Sequence, residues 1–155
     1  MMNNFFNTIK DLFTNTTFTT VLTGVLVYVI SQFILELYIN PRKKYKELKE
    51  RIAYTITLYS CFYHNPYNLF NKENNAQAME LYSKASQEMR KMGAELAGYI
   101  STVPNFRKTK KERLKEALGG IIGISNGFFN NSKEFNTIDA NIKCEEKIKK
   151  NLGIK

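Results

Sequence analysis

Residues 12–35 read LFTNTTFTTVLTGVLVYVISQFIL and contain no charged side chain. A helix needs about 20 mostly apolar residues to cross the hydrocarbon layer of a bilayer. This stretch has that length, and its threonines are tolerated where membrane helices pack together. Glu36, Asn40-Pro41 and a basic segment follow it. The sequence therefore predicts a single transmembrane helix over residues 16–40, and the Asn40-Pro41 pair is expected to break it from a helical domain at 41–155.

Residues 1–15 precede this helix and are expected to lie at the membrane surface. Phe5, Phe6, Ile9, Leu12 and Phe13 fall on one side of a helix, which predicts a short amphipathic helix over residues 3–13. A cleaved signal peptide is the competing interpretation. The start has no basic residues and the apolar run is not followed by a small-residue cleavage site, so the sequence disfavours a signal peptide.

Positive charge is concentrated after the apolar stretch. The formal net charge is +9, and residues 42–51 hold six bases against two glutamates. Basic residues beside a membrane helix stay in the cytoplasm and are attracted to anionic lipid. We therefore expect a single-pass protein of the inner (cytoplasmic) membrane, with its N-terminus outside and its C-terminal domain in the cytoplasm. The residues expected at lipid headgroups are Arg42, Lys43, Lys44 and Lys46.

One face of the predicted membrane helix is polar and small. Thr20 and Gly24 form a small-x-x-x-small pair, a spacing that lets two helices approach closely in lipid. One interpretation is a homo-oligomeric face, and the other is that threonine only fills the span while Glu36 sits at the headgroups. The residues of the predicted oligomerisation face are Thr17, Thr20, Gly24, Tyr28, Ser31 and Gln32.

The rest of the sequence predicts an all-α fold in the form of an antiparallel cytoplasmic bundle of about four helices. The helices are expected over residues 41–64, 76–102, 111–129 and 133–152. The second of these helices carries the clearest pattern, a seven-residue repeat typical of a bundle or coiled-coil seam. Nothing alternates with period two, so no sheet is expected. The repeat consists of Ala78, Tyr82, Ala85, Met89, Met92, Leu96, Tyr99 and Val103. The inward positions expected in the third helix are Leu114, Ala117, Leu118, Ile121, Ile122, Ser125 and Phe128, with Gly119, Gly120 and Gly123 allowing close packing or a kink. Those in the last helix are Phe135, Ile138, Ile142, Ile148 and Leu152.

No motif for catalysis, metal binding or cofactor binding stands out. His64 is the only histidine, and at the end of a helix it is expected to contact the last carbonyl groups. Cys61 and Cys144 are expected as free thiols, and two cysteines with one histidine make no zinc site. We therefore predict no enzyme activity, no metal and no cofactor.

A second basic cluster precedes the third helix of the domain. Basic side chains at a helix start can hold a phosphate group, so a small anionic ligand is one interpretation. The other is a solvated loop, or one that touches lipid headgroups; bulk nucleic acid fits a membrane-tethered domain poorly. The candidate anion-binding residues are Arg107, Lys108, Lys110, Lys111 and Arg113. An aromatic group is expected to plug the core rather than bind a ring, and it comprises Tyr59, Phe62, Tyr63, Tyr67 and Phe70.

Four short motifs of turn and packing residues resemble a type of small bacterial single-pass membrane protein with a helical cytoplasmic domain. The resemblance covers about residues 30–130 and implies a shared helical fold, and no activity is assigned to that type. The motifs are Ile39-Asn40-Pro41, Tyr63-His64-Asn65-Pro66, Val103-Pro104 and Gly123-Ile124-Ser125-Asn126.

The leading functional hypothesis is a non-enzymatic, membrane-anchored module that self-associates through the membrane helix and the 78–103 seam and serves as an interaction or signalling subunit. Its partners would be the bilayer, a second copy of itself, and a protein or small anionic ligand. The alternative is a ligand-responsive effector that forms a pore, for example in anti-phage defence. A third hypothesis is an accessory subunit of a larger membrane complex, in which Glu36 pairs with a base on another span.

Overall fold

The computed structural model describes residues 14–69, 75–103, 107–130 and 136–154. The chain divides into two units, Met1–Lys44 and Tyr45–Lys155, and each is described by itself. The predicted helix over residues 3–13 lies outside the described residues, and the predicted domain limits stay a prediction. The elements in order are helix α1 (Thr16–Ile34), a π-helical turn (Leu35–Ile39), α2 (Asn40–Leu58), α3 (Ser60–His64), β1 (Tyr67–Asn68), α4 (Ala76–Thr102), α5 (Lys108–Asn126), β2 (Phe129–Asn130) and α6 (Thr137–Leu152).

Helices account for nearly all of the described chain, which confirms the all-α prediction. The expectation of no sheet was wrong by one small feature, because β1 and β2 pair in parallel over two residues each. The backbone N–H of Tyr67 also donates to the carbonyl of Phe128 at 2.9 Å. Two-residue strands are too short to carry an alternating pattern, so sequence periodicity could not reveal them.

Helix α1 begins at a side-chain cap and continues past the expected break. The Asn15 side-chain oxygen accepts from the backbone N–H groups of Thr17 and Phe18, at 3.0 and 3.2 Å. The break that we predicted at Asn40-Pro41 is absent, since residues from Thr16 to Leu58 are all helical. A π-helical turn precedes Pro41, and the Asn40 N–H bonds to the Leu35 carbonyl, five residues back. This wider turn accommodates a residue that lacks a backbone N–H.

The core of the second unit is organised around α4, whose observed bounds, Ala76–Thr102, match the prediction. Ala85, Met89 and Leu96 of the repeat are completely buried, and Tyr99 is nearly so. These side chains belong to one core cluster with residues of α2, α5 and α6. The seam is thus buried by the chain's own core, and its expected part in self-association stays a prediction.

Glycines of α5 let α6 approach closely, as predicted for two of the three positions. A Cβ atom on Gly120 would lie 2.7 Å from Cγ1 of Ile148 and 2.8 Å from the Cys144 carbonyl oxygen. A Cβ on Gly123 would lie 2.5 Å from Sγ of Cys144. Gly119 faces outward, and the nearest atom to its Cβ position is 3.9 Å away. Ile122, which we predicted to point inward, is exposed. The side of α5 that packs against α6 carries Gly120 and Gly123 instead.

Helix α6 buries only part of the face that we predicted: Ile148 and Leu152 lie in the core, and Phe135 lies outside the described residues. Ile138 and Ile142 are exposed, whereas Asn141 is 1% exposed. The Asn141 amide donates to the Tyr63 carbonyl at 2.7 Å and to the Gly127 carbonyl at 2.8 Å. Two carbonyls from other segments therefore make the burial of a polar side chain favourable, which the apolar pattern of the helix alone could not show.

Candidate functional site

The first candidate site is the apolar surface of α1. No residue of this helix is buried by the first unit, and Val21, Leu26 and Tyr28 are 62%, 52% and 65% exposed. It belongs to the one described helix that is long and apolar enough to cross a membrane. A solvent-exposed apolar surface of this length is costly in water, and a lipid bilayer removes that cost.

The polar residues predicted to form an oligomerisation face lie on one side of α1, and two of their hydroxyl groups bond to carbonyls of the same helix. Thr20 donates to the Thr16 carbonyl at 2.8 Å, and Ser31 donates to the Val27 carbonyl at 2.7 Å. Gly24 leaves an open site, with no heavy atom within 4 Å of the position that a Cβ would take. The face is therefore flat at Gly24, and the Thr20 and Ser31 hydroxyls beside it are bonded within the helix. Thr17, Tyr28, Ser31 and Gln32 complete the predicted set, and Gln32 is the least exposed of them.

The residues predicted to meet lipid headgroups are at the surface of their units. Arg42, Lys43 and Lys44 are exposed in the first unit, on the first turns of α2. Lys46 is exposed in the second unit, and its ammonium lies 3.8 Å from the Glu50 carboxylate. An exposed pair of this kind adds little stability and leaves the lysine accessible to an anionic surface.

The structure distributes the predicted anion-binding residues over different contacts. Lys110 Nζ lies 4.3 Å above the Tyr45 ring, and that ring stacks on Tyr99 with centroids 5.7 Å apart. Arg113 Nη2 donates to the Asn151 carbonyl at 3.2 Å, at the C-terminal end of α6. Two of the five predicted residues thus hold neighbouring helices in place. Arg107 precedes α5 as its N-cap residue, and Lys108 and Lys111 lie in its first turns.

His64 has a partner that sequence spacing could not reveal. We predicted a contact with the last carbonyls of its helix, but its Nε2 lies 2.8 Å from Oε2 of Glu145, 81 residues later. Glu145 is only 14% exposed, and its other oxygen binds Lys149 at 2.6 Å. Burial tends to raise the pKa of Glu145, but bonding to Lys149 and His64 outweighs it and lowers that pKa. Burial, and then the nearby Glu145 charge, raise the pKa of Tyr63.

The predicted aromatic plug is present in the described residues. The Phe62 and Tyr82 rings meet edge to face with their centroids 4.9 Å apart, and the centroids of the Tyr67 and Tyr82 rings are 5.4 Å apart. The Tyr63 and Phe128 rings pack with their centroids 6.1 Å apart. This contact joins α3 to the segment that follows α5. Phe70 lies outside the described residues. These rings cover the core at the end of the domain where α3 meets α6, as the interpretation of a core plug required.

A shallow surface depression of about 390 Å³ lies beside the His64–Glu145 pair. Exposed Ile138 and Ile142 form its apolar part, and Glu146 and Lys149 form its rim. The sequence analysis missed this grouping, because it placed both isoleucines in the core and treated His64 alone. Only the exposed positions of the isoleucines, set by the burial of Asn141, bring these residues together.

Comparisons with protein-family models, with curated proteins and with solved structures gave no match to this chain. The resemblance noted from the short motifs therefore stays a prediction.

Proposed function

We propose that the chain is a membrane-anchored, non-enzymatic helical module that self-associates through α1 and serves as an interaction or signalling subunit. In this proposal the second unit is an antiparallel cytoplasmic bundle of about four helices. The observation that carries it is the apolar surface of α1, none of which is buried by the chain itself in the described residues.

The proposal restricts self-association to α1. Most of the repeat in α4 is buried in the core of the second unit, so the proposal places self-association at α1 rather than at this repeat. The α1 face remains, because Gly24 offers a flat surface and the hydroxyls of Thr20 and Ser31 carry no unsatisfied donor into the lipid. Close approach at a small residue is the usual basis for packing between membrane helices.

Crosslinking in native membranes tests this proposal with a matched pair of variants. Gly24→Phe fills the flat surface, and Leu26→Phe adds the same ring on the opposite side of the helix. We expect Gly24→Phe to lower the crosslinked dimer fraction on the order of tenfold, because an added side chain at a close contact costs about 1–3 kcal/mol. We expect Leu26→Phe to leave the fraction unchanged. Equal effects of the two variants, or a wild-type chain that is monomeric at high expression, would refute self-association through this face.

A second candidate function is a membrane-perturbing effector, and the polar face favours it. Thr17, Thr20, Ser31 and Gln32 lie on one side of α1, and several such faces together could line a water-filled path. In this version a ligand at the second basic cluster would trigger rearrangement, for example during phage infection. Expression of the chain would then cause dye leakage from vesicles or growth arrest, and Gln32→Leu would reduce both. Cells that keep growing through phage infection at high expression of the chain would rule this function out.

A further inference from the structure

The second unit has one strongly basic end, built from segments far apart in the sequence. Residues 107–115, at the start of α5, hold six bases and one acid. Residues 147–152, at the end of α6, hold three lysines and no acid. Glu145 and Glu146 directly precede these lysines, and the first half of α6, residues 137–144, is balanced between Asp139 and Lys143. The excess positive charge of this end therefore comes mainly from the start of α5.

Contacts within the domain bring these segments together. Lys110 lies over the Tyr45 ring at the start of the unit, and Arg113 reaches the Asn151 carbonyl at the end of α6. Lys49 Nζ donates to the Gly153 carbonyl at 2.7 Å, which fixes the end of α6 next to α2. We call this region the basic end, and its exposed lysines include Lys46, Lys108, Lys115 and Lys150.

The chain connects the second unit to the apolar segment through a short stretch. Tyr45 is the sixth residue after Ile39, the last residue of the π-helical turn. Six residues span at most about 22 Å even when fully extended. The bound applies to Tyr45 itself, the residue whose ring Lys110 contacts.

We infer that the basic end binds the anionic headgroups of the same membrane that α1 enters. The inference rests on the membrane anchoring proposed above and assigns a ligand to the second basic cluster. Anionic lipid is favoured over nucleic acid because the tether keeps lipid next to this end at a high effective concentration. Each exposed lysine should contribute about a fivefold preference for contact with an anionic surface at low salt.

A tryptophan reporter in the full chain tests this inference, since the sequence contains no tryptophan of its own. Thr109→Trp places the reporter at the basic end, and Met79→Trp places it at an exposed position at the start of α4. Both are reconstituted in vesicles that contain a headgroup spin label, with either about one-third or no anionic lipid. We expect strong quenching of Thr109→Trp only with anionic lipid, and little quenching of Met79→Trp in either membrane.

Two charge-matched triple variants give the control. Lys108→Ser, Lys115→Ser and Lys150→Ser together should abolish the anionic-lipid effect, whereas Lys84→Ser, Lys91→Ser and Lys143→Ser together should preserve it. Quenching that ignores lipid charge, or that falls equally in both triples, overturns the inference. Resistance to alkaline carbonate extraction measures anchoring separately. A chain that carbonate releases refutes the anchoring, while the quenching of Thr109→Trp still decides whether the basic end meets lipid.

Discussion

At the scale of single residues, Gly120 controls how closely α5 and α6 pack. Gly120→Ala would bring a Cβ to 2.8 Å from the backbone carbonyl oxygen of Cys144, which cannot move without shifting α6. Overpacking of this kind costs about 1–3 kcal/mol, against a gain of about 1 kcal/mol in helix propensity. We expect a net loss in the free energy of unfolding, measured by urea denaturation in mild detergent. Gly119→Ala is the control and should raise stability, because its Cβ position is open. A similar gain in both variants would contradict this packing.

Among the buried polar residues, Asn141 is the one whose replacement should lower stability most. Asn141→Ala would leave the carbonyls of Tyr63 and Gly127 without the donor they have now. Each such group costs about 1–3 kcal/mol when it is buried and unpaired. We expect thermal unfolding, followed by circular dichroism, at a clearly lower temperature. Asn151→Ala removes only a bond to a carbonyl of its own helix and should change little; an equally large effect there would show that the buried amide is not special.

Glu145 should make stability sensitive to acid. Its pKa is lowered in the folded chain, so the stabilisation is fully present above the ordinary glutamate pKa. It is lost as the pH falls below about 4.5 through the lowered value, because the protonated carboxyl no longer pairs with Lys149 and His64. The wild type should therefore exceed Glu145→Gln in unfolding free energy at pH 6, and the difference should shrink at pH 3. A difference that is constant across this range would contradict the pairing.

At the scale of elements, the sequence predicts α4 better than any other part. Its apolar repeat is long and unbroken, and both ends agree with the structure. Only the second half of the buried face of α6, with Ile148 and Leu152, could be predicted in the same way. Ile138 and Ile142 look like core residues until the carbonyls of Tyr63 and Gly127, from other segments, are seen to bind Asn141. Long-range polar partners, rather than local propensity, decided that orientation.

The candidate sites also differ in whether local sequence or long-range contacts determine them. The exposed apolar helix and the aromatic plug follow from composition and period, which are local properties. The His64–Glu145 pair and the approach of Arg113 to the end of α6 join residues 81 and 38 positions apart. At Pro41 the local sequence was misleading. Proline usually breaks a helix, but here a π-helical turn lets the helix continue. Contacts across the chain and rare helix geometry therefore account for most of what the sequence left out.

At the scale of the whole molecule, the orientation in the membrane can be tested with a native residue. Cys61 is exposed in the second unit. If the basic flank keeps this unit in the cytoplasm, a membrane-impermeant maleimide should label Cys61 only after the cells are opened. Cys61→Ser identifies the signal from this site, and Asn3→Cys should be labelled in intact cells. Labelling of Cys61 in intact cells would reverse the predicted orientation.

The hydroxyl bonds within α1 bear on how copies of the chain would meet. Thr20, Thr23 and Ser31 each donate to a carbonyl of their own helix, so these donors require no neighbour in lipid. In the proposed function, a newly made chain could then insert and persist as a single copy, with pairing as a later and reversible step. The paired fraction would rise with the number of copies per area of membrane, by mass action. The amount of protein synthesised would itself become the signal that turns separate anchors into an assembly.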